Sequence, residues 1–512
     1  MVTRIAKQLA NHLSANHLSA NHLSANLKTM LRRSPLRVRQ MARRMSLGMA
    51  IALLVVGFTV AVAPRGLAQT PAVQGSVVFT LTDLGGAEML AVAPNGRRAV
   101  IAGGDTVSVV RIRRNQLTLE QTWTLTADYF PAGSTAAEIT GVAVSADGRY
   151  TLLGIKDDDE ANLESFDEVP GIVLALSIPD LEVLGQVAVG RGPDSVAIAP
   201  DGTFAAVANE DEENEEDLTN LSNRAGTVSF IDLRNGLGAM TQVEIPLPTE
   251  GIPFFAHDPQ PETVRIASDS SFILATLQEN NAIARIEVPR SLPSPLRANA
   301  FAVTNFDAGL RTGFGLTADR AGEGVCRSSA YDLSLRQAYT SAREPDGLAL
   351  SPDLRFFVTA NEDNLTAANQ QVSGGVTLSE HGSRSISVFD AQTGALLSDS
   401  GDSIEDSILA LQLPQRCNSK GPEPEVVSVG QVGDRVLAFV AIERSDAVTI
   451  HDVTDPRNIQ LLDTVILNPA VVGADVSAEF EPEGIEFIAQ SNQVVVSNPE
   501  AGSMSLINLS IR

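Results

Sequence analysis

Seven copies of one unit run through residues 75–512, and nothing else in the chain constrains its fold as strongly. Each copy opens on an acidic residue, often after proline. A short apolar run, a turn, a second apolar run and a polar loop follow. The copies begin at Glu88 (EMLAVAPNGRRAVIAG), Glu138 (EITGVAVSADGRYTLLGI), Asp194 (DSVAIAPDGTFAAVANE) and Glu262 (ETVRIASDSSFILATLQE). The others begin at Asp346 (DGLALSPDLRFFVTANE), Glu425 (EVVSVGQVGDRVLAFVAIE) and Glu483 (EGIEFIAQSNQVVVSNPE). The runs are four to seven residues long and rich in Val, Ile, Ala and Phe. Runs this short, bounded by turn residues, read as strands rather than helices. Asn95-Gly96, Asp147-Gly148 and Asp201-Gly202 mark tight turns between the first two strands, where a positive φ is needed.

A third strand follows each pair, as in TVSVVRI (106–112), GTVSFIDL (226–233) and DAVTIHDV (446–453). Fourth strands such as LEVLGQVAV (181–189) lead into the next copy. Four antiparallel strands per repeat, stacked radially, make a propeller blade. The expected fold is therefore all-β, a seven-bladed β-propeller spanning 75–512. The seventh copy stops after its third strand, and GSVVFTLTDL (75–84), just ahead of blade one, is the expected donor of the missing strand. That exchange closes the ring and removes an exposed edge. Copies lie 50 to 84 residues apart, against roughly 40 for minimal blades. The excess falls in loops after second strands and between blades, where function often resides.

The loop after a second strand returns to the face on which the first strand starts. Two sets of polar residues should thus share the channel mouth. One is the ring of Glu88, Glu138, Asp194, Glu262, Asp346, Glu425 and Glu483. The other comprises Asn209-Glu210-Asp211, Gln278-Glu279-Asn280, Asn361-Glu362-Asp363, Glu443 and Asn498. Carboxylates converging on a channel do not all ionise without counter-charge. Two readings stand: each acid caps a strand start or bonds a neighbouring backbone, or the set holds a hard cation. Oxygen ligands suit Ca²⁺ better than Zn²⁺.

Charge narrows the partners. Residues 1–68 hold ten Lys/Arg and no Asp/Glu, which leaves 27 basic against 62 acidic residues beyond them, a net of −35. Such a body repels nucleic acid and anionic membranes, and a single tryptophan, Trp123, supplies no stacking platform. A divalent cation or a protein docking on the acidic face are the expected partners, on a monomer. Attachment to a membrane is expected only through an uncleaved amino-terminal segment.

Residues 10–26 repeat Ala-Asn-His-Leu-Ser three times. The five-residue period matches neither helix nor strand, so residues 1–29 read as a repeated DNA element translated ahead of a start at Met30, Met41 or Met45. Residues 30–68 carry six arginines between Arg32 and Arg44, an apolar run Met45–Ala63, and small residues before Gln69. That is a secretory signal, or an uncleaved anchor given the length of the run. Arg43-Arg44 hints weakly at a twin-arginine signal, and no Cys follows the run as a lipoprotein would need. The protein is therefore expected to be exported: periplasmic, on the cell surface or extracellular. Cys326 and Cys417 are too few for a disulfide framework or thiolate metal site; one disulfide between them stays open.

Catalytic signatures are thin. No Gly-x-Ser-x-Gly elbow, phosphate-cradling glycine loop or His-Glu-x-x-His is found. The acidic loop 157–168 places Asp157, Asp159 and Glu168 at EF-hand positions, yet Ala161 and Asn162 break the motif. His257 and His381 sit on insertions as candidate bases or ligands, and His451, in a third strand, reads as structural.

At PEGIEFI, LATLQENNAIARIEV, GPEPEVV, FVTANED and VTIHDVTDP the chain resembles the bacterial choice-of-anchor I family. The resemblance covers most of residues 75–512, with LQENNAIA and GPEPE as its most specific parts. It implies a secreted or surface propeller, often without assigned activity. No sorting motif or apolar tail follows blade seven, so the carboxy-terminal anchoring implied by the family name is not expected. More loosely, the chain is similar to YVTN-type propellers and to β-propeller phytases, whose channel acids bind calcium and phosphate. The two functions expected are a non-catalytic binding module and, as the alternative, a Ca²⁺-dependent phosphoesterase or lactonase with a channel carboxylate as general base.

Overall fold

The computed structural model describes residues 73–158, 169–211, 224–316, 336–362, 372–373, 376–378, 382–415, 421–474 and 478–511. The amino-terminal segments 1–29 and 30–68, Cys326, Cys417, His381, Asp363 and the EF-hand-like loop from Asp159 to Glu168 lie outside them.

Seven four-stranded antiparallel sheets form, one for each repeat. Their inner strands are Met89–Val92, Ala137–Val144, Pro193–Ile198, Pro261–Ile266, Pro345–Leu350, Pro424–Val432 and Gly484–Ile488. Each inner strand contacts the next, and that of blade seven contacts that of blade one, so the ring is closed. Blade seven takes its outer strand from Val73–Leu81, paired antiparallel with Ser503–Ile511 from Val73–Ile511 to Leu81–Met504. The donor strand is the one expected from the sequence.

The repeat's composition follows from where each strand lies. Second strands are covered on both faces by neighbouring blades, and Phe204–Asn209, Phe272–Leu277, Phe356–Asn361 and Gln493–Asn498 are buried at every residue. They are accordingly continuous apolar runs rather than alternating ones. Outer strands such as Gln116–Thr124 are largely exposed and carry polar residues. Apolar side chains gather into clusters between blades, one for each neighbouring pair, including seven with one. Each fully buried Val, Ile, Leu or Phe there contributes about 1.5–3 kcal/mol. Seven such interfaces hold a fold that no single blade could sustain.

The first hairpins close as expected. Gly96, Gly148 and Gly202 adopt φ of 66°, 68° and 72°. The side chains of Asn95, Asp147 and Asp201 accept the backbone N–H two residues on, at 2.9–3.1 Å. Polar side chains that mimic a backbone turn set the strand register here.

Candidate functional site: an acidic channel mouth

Blades three to six share one device that aims a carboxylate into the channel. Their inner strands start at Pro193, Pro261, Pro345 and Pro424, which face Asn209, Leu277, Asn361 and Ile442 on the second strands. Immediately afterwards the pairing register breaks in all four. Proline has no N–H for the ladder, and a bulge beside it leaves the next residue unpaired and redirects its side chain. That next residue is Asp194, Glu262, Asp346 or Glu425. With Glu483 they line a cavity of about 330 Å³ at the mouth.

Blade two departs from the pattern. Its register breaks between Ile139 and Gly141, so Ile139 stands where the prolines stand and Thr140 holds the acid's position. Thr140 lines the cavity and donates to the Pro193 carbonyl. Glu138, expected in the ring, lies two residues earlier and pairs in register with Lys156. The blade-two strand begins earlier than its equivalents, which sequence spacing alone could not reveal. Glu88 does lie within electrostatic reach of Glu138, Asp194 and Glu483.

Of the described loop residues expected on this face, Gln278, Glu362 and Glu443 line the cavity. The backbone N–H groups of Glu210, Glu362 and Glu443 donate to the carbonyls of Gly192, Glu344 and Glu423, at 2.8, 3.1 and 2.9 Å. Each loop is thereby pinned beside the start of its own inner strand. Two carboxylate trios result, each with oxygens within 4.8 Å of one another: Glu210, Glu262 and Glu279, and Glu362, Glu423 and Glu425. The Gln278 amide donates to Glu362 and so joins the two groups. Asn209 and Asn361 serve their own blades. Each amide nitrogen spans two third-strand hydroxyls, Thr227 and Ser229 or Ser385 and Ser387, at 2.9–3.0 Å. Asn498 does the same with Ser503 and Ser505.

Glycines bring neighbouring acids together. A Cβ on Gly347, next to Asp346, would lie 2.4 Å from the Glu425 carbonyl oxygen. Asp346 thus hydrogen-bonds Glu425, which two carboxyl groups do only when one keeps a proton. Burial, then the charges of Glu425 and Glu362, push Asp346 well above the usual carboxyl range. Burial, then Glu279 and Glu210, do the same to Glu262. Glu443 rises by burial and by Glu425 and Glu423. Glu483 is pushed to about 9 by burial with Glu88 and Glu425, and Glu88 to about 7 by burial with Glu138 and Asp194. The mouth stores negative charge that it holds only by keeping protons.

Two arginines missed by sequence reasoning share the cavity. Arg444 donates to Glu423 and Glu481 and pairs with Glu443 at 2.7 Å, so it counters the second trio. Arg265, three residues beyond Glu262, donates to the Val264 carbonyl at 2.9 Å and faces Glu486 and Asp346 electrostatically. The signal for both was their place in the repeat, next to Glu443 and three residues after a ring acid. His257 is exposed on its insertion. His451 is fully buried, its Nε2 3.0 Å from the Thr449 hydroxyl, and burial pulls its pKa to about 3; it is structural.

Fold and site together define a closed seven-bladed propeller with an acidic, proton-holding channel mouth. The model of the choice-of-anchor I domain matches residues 88–292 and 376–456, more than half of the chain. The chain belongs to the choice-of-anchor I family, whose domains are typical of exported and surface proteins. No curated protein matches it. Among solved structures it is similar to the β-propeller domain of Cps50 (Swd1) from Myceliophteria thermophila, at 11% identity and a TM-score of 0.48, covering 85% of this chain and 100% of that one. It is also similar to hydrazine synthase of Kuenenia stuttgartiensis, at 15% identity and a TM-score of 0.46, covering 84% of this chain and 97% of that one. Among the described residues no helix is long and apolar enough to cross a membrane.

Proposed function

We propose that this surface propeller module binds a divalent cation at its acidic mouth, with Ca²⁺ the ion of choice and the Glu210–Glu262–Glu279 trio its centre. The observation that carries the reading is that trio: three carboxylates from two adjacent blades with oxygens within 4.8 Å of one another. In the second trio Arg444 already bonds Glu423 and pairs with Glu443, so a cation there would meet a guanidinium of like charge. Carboxylate oxygens with a neighbouring amide suit a hard ion of flexible coordination. A bound cation takes over the role of the protons, so affinity rises with pH as Glu262 and its neighbours give them up.

Calorimetric titration with Ca²⁺ at pH 6 and pH 8, paired with thermal unfolding, tests the reading. Binding at pH 8, weaker binding at pH 6 and a rise in Tm with Ca²⁺ are expected. Glu262→Gln should abolish the Tm response and, by relieving repulsion in the trio, raise the Tm of the calcium-free protein. No heat and no Tm change with millimolar Ca²⁺ at pH 8 would sink the proposal.

A further inference from the structure

The opposite face of the propeller carries a second, oppositely charged site. A groove of about 990 Å³ crosses the seam where blade seven meets blade one, and five arginines line it: Arg97, Arg98, Arg111, Arg113 and Arg114. No acidic residue is among its lining residues. Glu120, just behind, bonds both Arg98 (2.6 Å) and Arg111. Burial opposes ionisation of Glu120, but those two hydrogen bonds outweigh it and hold its pKa below the ordinary value. One carboxylate thus fixes two guanidinium groups and leaves an excess of positive charge in the groove.

The groove is built, not incidental. Arg98 and Arg111 are cross-strand partners, so they project side by side. The Gln493 amide donates to the Arg114 carbonyl at 2.7 Å, the Gln490 amide to the Pro94 carbonyl at 2.5 Å, and the Asn508 amide to the Asn115 side chain at 3.0 Å. These bonds stitch the turn of blade seven to both turns of blade one and fix the groove's walls. Arg97, Arg113 and Arg114 stay exposed above them. In a body of net charge −35, this cluster reverses the local field.

The same face receives the chain. Val73 pairs with Ile511 at the turn end of blade seven, and Ile511 is among the exposed large apolar residues. Only nine residues separate Val73 from the apolar run that ends at Ala63, a reach of at most roughly 30 Å. That run is the segment of this chain with the apolar chemistry of a membrane, and the chain that leads from it enters the propeller at Val73, on the arginine face. We propose that this groove docks on phosphate headgroups of an anionic lipid surface, with Arg97, Arg113 and Arg114 as the contacting residues. Guanidinium forks match phosphate oxygens two at a time. The acidic mouth then opens away from the lipid, where like charge would otherwise repel it.

Flotation of the full chain with vesicles, in the presence of a chelator to silence the mouth, tests this. Vesicles of phosphatidylcholine alone are compared with vesicles mixed with phosphatidylglycerol. The chain should bind the anionic vesicles more tightly, and salt should erase the excess. The triple variant Arg97→Gln/Arg113→Gln/Arg114→Gln should lose about 100-fold of that excess, at about fivefold per arginine, with binding to neutral vesicles unchanged. These side chains are exposed, so Tm should not move; Arg113→Gln alone, with its fivefold loss, serves if the triple variant unfolds. Equal binding to both vesicle types would overturn the proposal. So would a variant that loses retention on immobilised heparin yet still binds anionic vesicles as before, which would assign the groove to a sulfated glycan.

Discussion

Blades three to six and blades seven, one and two are copies of one repeat, yet their shares of the mouth differ. In the first group the residue that follows the second strand is Glu210, Gln278, Glu362 or Glu443. In the second group the equivalent residues are Pro499, Gly104 and Lys156, and Thr140 replaces a ring acid. Backbone geometry repeats around the ring because strand pairing and inter-blade packing demand it. Side-chain chemistry at the channel carries no such demand, so charge was free to collect on one side. The mouth is an acidic arc whose arginines, Arg265 and Arg444, stand on its own blades, and the blades that complete the circle carry Lys156 and, on the far face, the arginine groove.

The sharpest way to break this comparison is to wedge the arc apart. Gly347→Ala would set a Cβ 2.4 Å from the Glu425 carbonyl oxygen and 2.6 Å from the Val426 Cα. Backbone atoms of a packed strand yield little, so a loss of about 3 kcal/mol is expected in urea unfolding. Gly104→Ala on the other side meets nothing within 4 Å and should cost only about 1 kcal/mol for its positive φ. Equal costs would show that the arc is not closely packed.

The pH profile sharpens the same contrast. Glu483 and Glu88 bind protons more tightly folded than unfolded, with native pKa values of about 9 and about 7 against 4.5. Their stabilising share is complete below about pH 4.5 and is lost as pH rises through 7 and then 9. Without metal, the unfolding free energy should therefore climb as pH falls from 9 towards 5, by an amount on the order of a few kcal/mol, and Tm should climb with it. Saturating Ca²⁺ should flatten that slope. A metal-free profile already flat across this range would contradict the crowding of the carboxyl groups.

Extending the arc by one blade is a subtler intervention. Lys156 opposes the upward shift of Glu88, so Lys156→Glu replaces a countercharge with a further acid. A loss of about 1–2 kcal/mol at pH 8 is expected, recovered at pH 5, where the acids hold protons. No change at pH 8 would mean that blade two contributes nothing to the field at the mouth.

The smallest effect belongs to a group with the opposite sign. His451 is neutral in the fold because burial pulls its pKa to about 3, so the stability it contributes above pH 6.5 is lost as pH falls. Between pH 6.5 and 5.5 the wild type should lose about 1 kcal/mol relative to His451→Gln, read as the difference in slope between the two unfolding profiles.

Much of the fold was legible in the chain because a propeller repeats its instructions. Prolines before the acids, Asn-Gly and Asp-Gly turns, and doubly buried second strands recur with each blade, so errors in one copy were corrected by the others. The site was legible only in part. Asp194, Glu262, Asp346, Glu425 and Glu483 converge as their place in the repeat predicts. Glu138 does not hold the place assigned to it, because a register break at Thr140 decides which residue turns inward. The amide nitrogens of Asn209 and Asn361, residues read as candidate ligands, clamp third-strand hydroxyls whose proximity is a cross-strand fact. The uniform repulsion inferred from net charge also fails locally. Residues 97–98 and 111–114 hold five arginines, and only the ring's closure brings Gln490 and Gln493 beside them.

By itself, then, the sequence determined seven blades, their strand order and the strand that closes them, since hydrophobic period and turn chemistry are local and act within each repeat. Tertiary structure alone decided which acids meet, which keep a proton, where Arg444 and Arg265 stand among them, and that an arginine groove lies across the closing seam. Those outcomes depend on distances between residues tens to hundreds of positions apart, and electrostatic free energy is set by distance and burial rather than by order along the chain.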